Sequence, residues 1–142
     1  MRFMIIRKAD QDTERGVMPS AELLQAMTQY NDALYKAGIL RGGEGLTPSV
    51  KGARIRFVDG NPVVIDGPFS ESKELIAGFT LIEVGSREEA IEWVKRWPAI
   101  DGGGHVELEL RQIFEMDDFG ELMSAELRLQ ELRQREAIEK KS

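Results

Sequence analysis

Apolar and polar residues alternate in several short segments of this chain, and in two longer segments apolar residues recur every three or four positions. The first pattern is typical of strands and the second of helices packed on one side. The predicted strands are residues 2–7, 53–58, 62–65, 76–84 and 106–111. A first helix is predicted from the N-cap Ser20 to Gly38, and its apolar face consists of Leu23, Met27, Tyr30 and Leu34.

The segments between these elements contain turn and cap signals. Residues 8–18 are polar and are predicted to form a loop. Ile39-Leu40 begins a further strand that residues 42–45, with three glycines, are expected to break; a kinked strand beside a neighbour's backbone is favoured over a phosphate loop. Ser86 and Glu89 form a predicted capping box for a second helix that stops at Pro98.

The order of the elements predicts an α+β fold: a ferredoxin-like βαββαβ sandwich with both main helices on one face of an antiparallel sheet. The other face then needs a cover, which predicts a homodimer of the α+β-barrel type around a two-fold axis. Charged residues dominate in residues 117–142, and the apolar ones form only a narrow stripe of Leu122, Ala125, Leu129 and Leu132 on a predicted helix. We therefore predict a domain at 1–116 and an added C-terminal helix at 117–142, with fraying from Glu136.

Composition limits the classes of function. The 142 residues carry a net charge of −6, which disfavours a general nucleic-acid or anionic-membrane surface. Cysteine is absent, and no apolar run reaches the ~20 residues of a membrane span. The apolar N-terminus is interpreted as a strand and not as a signal peptide. A cytoplasmic protein is expected.

The segment 66–79 contains the first group of candidate site residues. It follows the apolar residues 63–65, which we expect to be a buried strand end, and it begins with the turn Asp66-Gly67-Pro68. Asp66 is either a turn carboxylate that accepts backbone N–H groups or, if partly buried near a cavity, a general base. Phe69 is expected to fold into the core and anchor the loop.

Charged residues near this segment are candidates for ligand contacts. Glu71, Lys73 and Glu74 form either a solvated turn or a polar rim over a pocket, in which Lys73 is the candidate anion contact. Arg54 and Arg56 share one face of a strand, either as solvated side chains or as an anion-facing pair in a dimer cavity.

His105 is the only histidine and precedes the last strand. It is either an exposed or packed loop residue or a proton shuttle, since its ordinary pKa lies near neutrality. With one histidine and no cysteine, a metal site is disfavoured, and no cofactor is expected.

The sequence resembles the YCII-related family, and within it the branch called DGPF-domain proteins. The resemblance lies in Asp66-Gly67-Pro68-Phe69 and extends to the motifs at 18–20, 43–46, 89–93, 109–111 and 114–120. It implies the dimeric α+β-barrel fold. It also implies that some relatives dehydrochlorinate products of aromatic-ring breakdown, with a histidine and an aspartate suspected of acid–base work. Arg111-Gln112 departs from the Arg-Pro of many relatives.

Two functions of different classes are open at this point. The favoured one is a non-catalytic dimer that binds a small acidic or aromatic metabolite in a cavity. The alternative is a lyase or isomerase in which Asp66 or His105 moves a proton while Lys73 or Arg54 holds an acidic substrate. A third option is an assembly protein whose terminal helix packs on another chain.

Overall fold

The computed structural model describes residues 1–141, apart from the side chain of Ser72. The helices are α1 (Gln11–Glu14), α2 (Ala21–Lys36), α3 (Arg87–Val94) and α4 (Ala125–Lys141). The strands are β1 (Arg2–Lys8), β2 (Leu40–Gly45), β3 (Ala53–Val58), β4 (Asn61–Asp66), β5 (Ile76–Glu83) and β6 (Leu108–Gln112). Short 3₁₀ turns cover 49–51, 72–74, 101–104 and 116–122. None of the described helices is long and apolar enough to cross a membrane.

The main sheet has four antiparallel strands in the order β2-β5-β1-β6. Without the β3–β4 hairpin, the chain order β1-α2-β2-β5-α3-β6 with this strand arrangement is the ferredoxin-like topology. The predicted βαββαβ fold with an added C-terminal helix is confirmed.

The core lies between one face of this sheet and helices α2 and α3. Phe3 and Ile5 of β1 and Ile82 of β5 are almost fully buried there. From the helices, Tyr30 and Leu34 of α2 join the same cluster, as does Ala90 of α3. The apolar face of α2 that the sequence predicted is the face that packs on the sheet.

The opposite face of the sheet is also apolar in its centre. Alternate residues of a strand point to opposite faces, so this face carries Met4 and Ile6 of β1 and, beside them, Phe79 and Leu81 of β5. All four side chains are partly buried. This is the face for which a second copy was expected.

The hairpin β3–β4 does not belong to the main sheet, which corrects two expectations. It forms a two-stranded sheet of its own around the turn at Asp59 and Gly60, where both residues have positive φ. Val63 and Val64 were expected to be a buried strand end, but both are exposed, as is every residue of β3. The alternation of polar and apolar residues predicted these paired strands correctly, but it did not predict that they are exposed.

Glycine-rich β2 continues as a strand to Gly45, where the sequence predicted an early break. Its pairing with β5 shifts register between Leu40 and Gly42, so the predicted kink is confirmed. The glycines permit close strands: a Cβ on Gly43 would lie 2.8 Å from the Phe79 carbonyl oxygen, and one on Gly78 would lie 2.9 Å from the Glu44 carbonyl oxygen.

The predicted loop at 8–18 contains the one-turn helix α1, which the sequence analysis missed. Asp10 caps it: its carboxylate accepts the Thr13 N–H (2.8 Å), and the Thr13 hydroxyl oxygen accepts the Asp10 N–H (2.8 Å).

By internal contacts the chain divides into two compact units, residues 1–112 and 113–142. Within the second, Phe114 and Phe119 stack with ring centroids 5.3 Å apart, and Arg128 pairs with Asp117. Helix α4 begins only at Ala125, so Leu122 lies outside it, and it continues to Lys141 where fraying was expected from Glu136. Exposed ion pairs such as Arg135–Glu131 run along it.

Candidate functional site

A broad cleft of about 1570 Å³ opens in the first unit. Its walls are the segment 10–20 with α1, the N-terminal half of α2, strand β2 with the following segment to Lys51, and residues 77–80 of β5. Trp97 and residues 100–103 contribute to it from the connection between α3 and β6. Clefts of this kind are the usual sites of small ligands.

An ion pair lies in the lining of the cleft. Arg7 points to the helix side of the sheet, as Phe3 and Ile5 do, and a buried cation there needs a partner. That partner is Asp101: Arg7 Nη2 donates to Oδ1 (2.6 Å) and Nε donates to Oδ2 (3.2 Å). The two side chains are only 11% and 6% exposed. This bidentate geometry fixes both groups.

Trp97 provides a further hydrogen bond to Asp101. Its indole N–H donates to Oδ2 (2.9 Å). Burial alone raises the pKa of Asp101, but the hydrogen bonds from Arg7 and Trp97, the Arg7 charge and the Gly102 N–H together outweigh burial, so the pKa lies below its ordinary value. Asp101 therefore remains ionised and serves as an anchor, not as a general base.

Asp10 is the second carboxylate on Arg7. Arg7 Nη1 donates to Asp10 Oδ2 (3.2 Å) and also to the Lys8 carbonyl (2.8 Å). Partial burial raises the pKa of Asp10, but the Thr13 N–H bond and Arg7 outweigh that effect and lower it. Asp10 thus joins the cap of α1 to the ion pair and remains charged.

Tyr30 packs against Trp97 in the core. The two rings meet edge to face with centroids 5.3 Å apart, and the Tyr30 hydroxyl donates to the Trp93 carbonyl (2.8 Å). Burial raises the pKa of Tyr30 to about 12. The prediction that Tyr30 is a core residue is confirmed.

Hydrogen bonds connect the border of the cleft to the segment 66–79. The Glu14 carboxylate, in the cleft lining, accepts the Ser49 hydroxyl (2.7 Å) and the Ser49 N–H (3.2 Å). The Ser49 hydroxyl oxygen in turn accepts the Phe69 N–H (3.0 Å). Between them, the Gly67 N–H donates to the Gly52 carbonyl, and a Cβ on Gly67 would overlap the Ser49 carbonyl oxygen. We call Glu14, Ser49 and the Phe69 N–H the Ser49 bridge.

Two of the predicted binding residues meet at this segment. The Arg54 guanidinium lies over the Phe69 ring, 4.0 Å from its centroid, in a cation–π contact. Phe69 is only partly buried there and is not part of the core cluster, which corrects the expectation that it would fold into the core. Arg56 is exposed two residues further along β3.

The other predicted site residues lie on exposed positions. Asp66 ends β4 opposite Ala53, and Glu71, Lys73 and Glu74 lie in or beside the 3₁₀ turn at 72–74. His105 follows the turn at 101–104 and is exposed. The described lining of the cleft includes none of the eight predicted residues. Their roles remain predictions.

Sequence reasoning missed the residues that line the cleft, although some left a signal. Arg7 occupies the third position of the core-facing alternation that begins with Phe3 and Ile5, and a charge at such a position predicts a buried carboxylate partner. Asp10 and Thr13 have the spacing of a capping box. Asp101 carried no comparable signal, since its partners are distant in sequence.

A metal site is not built into this part of the molecule. Among the described residues, no group of three or more histidine, cysteine, aspartate or glutamate side chains is placed to hold a metal ion.

The topology and the cleft define an α+β protein of ferredoxin-like topology with a broad cleft. Residues 1–117 match the family model of the YCII-related domain. The chain therefore belongs to the YCII-related family, and the resemblance seen in the sequence is confirmed at that level. Its place in the DGPF branch remains a prediction.

Two individual proteins are also similar to this chain. An uncharacterized protein of Rhizobium meliloti (strain 1021) is 38% identical over 60 residues, which are 42% of this chain and 48% of that protein. The match thus spans about half the length of this curated relative. The solved structure of 5-chloro-2-hydroxyhydroquinone dehydrochlorinase from Burkholderia phenoliruptrix AC1100, in complex with 2,5-dihydroxybenzoquinone, is similar with a TM-score of 0.45 and 16% identity. That similarity covers 81% of this chain and 95% of the other.

Proposed function

We propose that this chain is a small-molecule-binding protein of the YCII-related family whose ligand occupies the cleft. The observation that carries the proposal is the cleft itself. Its volume of about 1570 Å³ leaves room for a small metabolite, since most ligand sites have ~300–1000 Å³. Apolar walls provide burial, and the Arg7–Asp101–Trp97 network provides a fixed polar surface.

Binding without proton transfer is the function that this lining favours. Asp10 and Asp101 are held ionised by Arg7 and by N–H donors, which makes both poor general acids and bases at neutral pH. The described lining contains no histidine. A network held by several hydrogen bonds suits recognition, because its groups are positioned before a ligand binds.

A variant that fills the cleft tests this proposal. Leu24 lines the cleft from α2 and is 54% exposed, so Leu24→Trp places an indole in the opening without disturbing the core. The matched control is Tyr35→Trp, on the same helix, 71% exposed and outside the lining. A thermal-shift screen of small amines, phenols and carboxylates is run on all three proteins.

We expect at least one compound to raise the melting temperature of the native chain and of Tyr35→Trp, and to lose that effect on Leu24→Trp. Equal stabilisation of all three proteins by every active compound would contradict the cleft as the binding site.

We also propose that the protein works as a homodimer, in the cytoplasm. Support for dimerisation comes from apolar surface that one copy leaves uncovered: Met4 and Ile6 on the open sheet face are only partly buried, and Phe57 on the hairpin is 69% exposed. Sedimentation equilibrium should give twice the chain mass at micromolar concentration. A monomer at all concentrations up to ~100 μM would exclude the dimer.

A proton-transfer enzyme that uses Asp66 or His105 is the second candidate. The Ser49 bridge favours it, because the bridge ties the backbone that follows Asp66 to the cleft border. In this case Asp66→Asn or His105→Gln should abolish turnover of a substrate while ligand binding persists. Turnover that survives both substitutions would remove this candidate.

A further inference from the structure

The balance of charge in the cleft favours one class of ligand. Its described lining contains three basic residues, Arg7, Arg15 and Lys51, and six acidic residues. The acidic residues are Asp10, Asp12, Glu14, Glu22, Glu44 and Asp101. Six carboxylates against three cations leave a formal charge of −3 around one opening.

Both arginines in the lining already have acidic partners, and the Arg7 side chain is largely buried against Asp101. Arg7 is held by both oxygens of Asp101 and by Asp10. Arg15 forms an ion pair of 2.6 Å with Asp12. A carboxylate ligand would have to compete with Asp101 and Asp10 for the N–H donors of Arg7. At Arg15 it would meet the negative charge of Asp12.

Two of the carboxylates are open to a ligand. Glu22 in the first turn of α2 and Glu44 on β2 are exposed, and within the described part of the chain neither has an ion-pair partner. Lys51 and the N-terminal end of α2 add positive charge to the lining. The helix end amounts to about half a charge and is itself partly compensated by Glu22, so the balance stays negative.

The same cleft offers apolar surface that the chain does not cover. Six large apolar side chains in its lining are each more than 40% exposed: Val17, Met18, Leu24, Leu46, Val50 and Ile100. Burial of such surface by a ligand is favourable by roughly 25 cal/mol per Å². A ligand that matches both features has an apolar body and a positive charge.

We propose that the cleft takes a small amphipathic amine, whose apolar body packs on exposed apolar side chains of the lining and whose ammonium group is attracted by the exposed carboxylates of Glu22 and Glu44. This inference rests on the proposed function, since it assigns the ligand class of the same cleft. It replaces the acidic metabolite that the sequence suggested, because carboxylates outnumber cations by six to three in the described lining.

Three probes of matched shape separate charge from apolar burial: phenethylamine (cationic), 2-phenylethanol (neutral) and phenylacetate (anionic). Each is titrated at pH 7 and low salt into the isotope-labelled chain, and the backbone amides of Gly43 and Gly102 in the lining report binding. Gly60 in the hairpin turn is the remote reference. Phenethylamine should bind at least tenfold more tightly than phenylacetate, and added salt should reduce the difference.

The double variant Glu22→Gln/Glu44→Gln removes two negative charges from the lining and should cut the preference for phenethylamine severalfold. Glu107→Gln/Glu121→Gln makes the same change in charge at exposed positions outside the lining, and should leave the preference intact. Melting temperatures of both variants confirm that they are folded before affinities are compared.

Equal or tighter binding of phenylacetate overturns the inference, as does a preference that the Glu22/Glu44 variant keeps in full. If 2-phenylethanol shifts the cleft glycines and phenethylamine binds no better, the ligand class is wrong while the proposed binding function stands. If no probe shifts Gly43 or Gly102, both the inference and the choice of this cleft are contradicted.

Discussion

At the scale of single residues, Arg7 determines the character of the cleft. It continues the core-facing positions of β1, and its charge is tolerated because Asp101, Asp10 and the Lys8 carbonyl accept its N–H groups. The same contacts fix Trp97 through Asp101. One buried cation thus organises three groups of the lining.

Asp101→Asn should destabilise the protein by about 3 kcal/mol, because it leaves the Arg7 guanidinium buried beside a neutral group. Equilibrium urea unfolding measures the change. The control Glu92→Gln breaks the exposed pair with Lys95 and should alter stability by less than ~0.5 kcal/mol. If the free energy of unfolding falls by the same small amount in both variants, the Arg7–Asp101 pair is not a structural anchor.

The pH dependence of stability follows from the same carboxylate. The folded-state pKa of Asp101 lies below its ordinary value of 3.8, so its ionised form stabilises the fold above that pH and loses this contribution as the pH falls through the lower folded value. The difference in unfolding free energy between native chain and Asp101→Asn should therefore be largest near pH 7 and should shrink below about pH 4. A difference that stays constant from pH 7 to pH 3 would contradict this sign.

At the scale of elements, the sequence predicted strand and helix positions better than burial. The period of two in β3 and β4 is real, but both strands sit in a separate hairpin that the four-stranded sheet leaves exposed. Alternation of apolar and polar residues indicates a strand. It does not show whether another part of the protein buries the apolar face of that strand. By contrast Ser20, Tyr30 and Leu34 were placed correctly, since the cap and core face of α2 are local properties.

The site was less predictable because its contacts are distant in sequence. Arg7 and Asp101 are separated by 94 positions, and Ser49 lies 20 positions before Phe69. The motif Asp66-Gly67-Pro68-Phe69 predicted a site made of its own side chains. In the structure, the Phe69 N–H connects the motif to the border of a cleft that other residues line.

Strand β2 depends on glycine where it meets β5. Gly43→Ala should destabilise the protein by about 1–3 kcal/mol, because the new Cβ would press on the backbone of Phe79 and Thr80. Gly45→Ala is the matched control on the same strand, since no atom lies within 4 Å of its added Cβ. Thermal unfolding compares the two, and equal melting temperatures would contradict the close approach of the strands.

The Ser49 bridge should control local opening of the segment after β4. Ser49→Ala removes the hydroxyl that joins Glu14 to the Phe69 N–H, so the Phe69 amide should exchange with solvent about tenfold faster, at a global loss of about 1 kcal/mol. Ser70→Ala, an exposed change in the same segment, should leave exchange at Phe69 unchanged. If the Phe69 amide exchanges as slowly in Ser49→Ala as in Ser70→Ala, the Ser49 bridge does not stabilise this segment.

At the scale of the whole molecule, the ferredoxin-like unit explains why a ligand site forms where it does. The sheet and its two helices make a packed core, while the segments that connect β1 to α2 and α3 to β6 are left to build the walls of the cleft. Connecting segments on a rigid scaffold are where proteins commonly place recognition.

A map of amide chemical-shift changes, for any compound that stabilises the native chain, shows directly whether the cleft is the ligand site. We expect the amide signals of Gly43 and Gly102 to shift strongly, and that of Gly60 in the hairpin turn to stay in place. If the changes cluster instead at Asp66, Lys73 and His105, with Gly43 and Gly102 unmoved, the ligand binds at the residues that the sequence singled out, and the cleft is not the site.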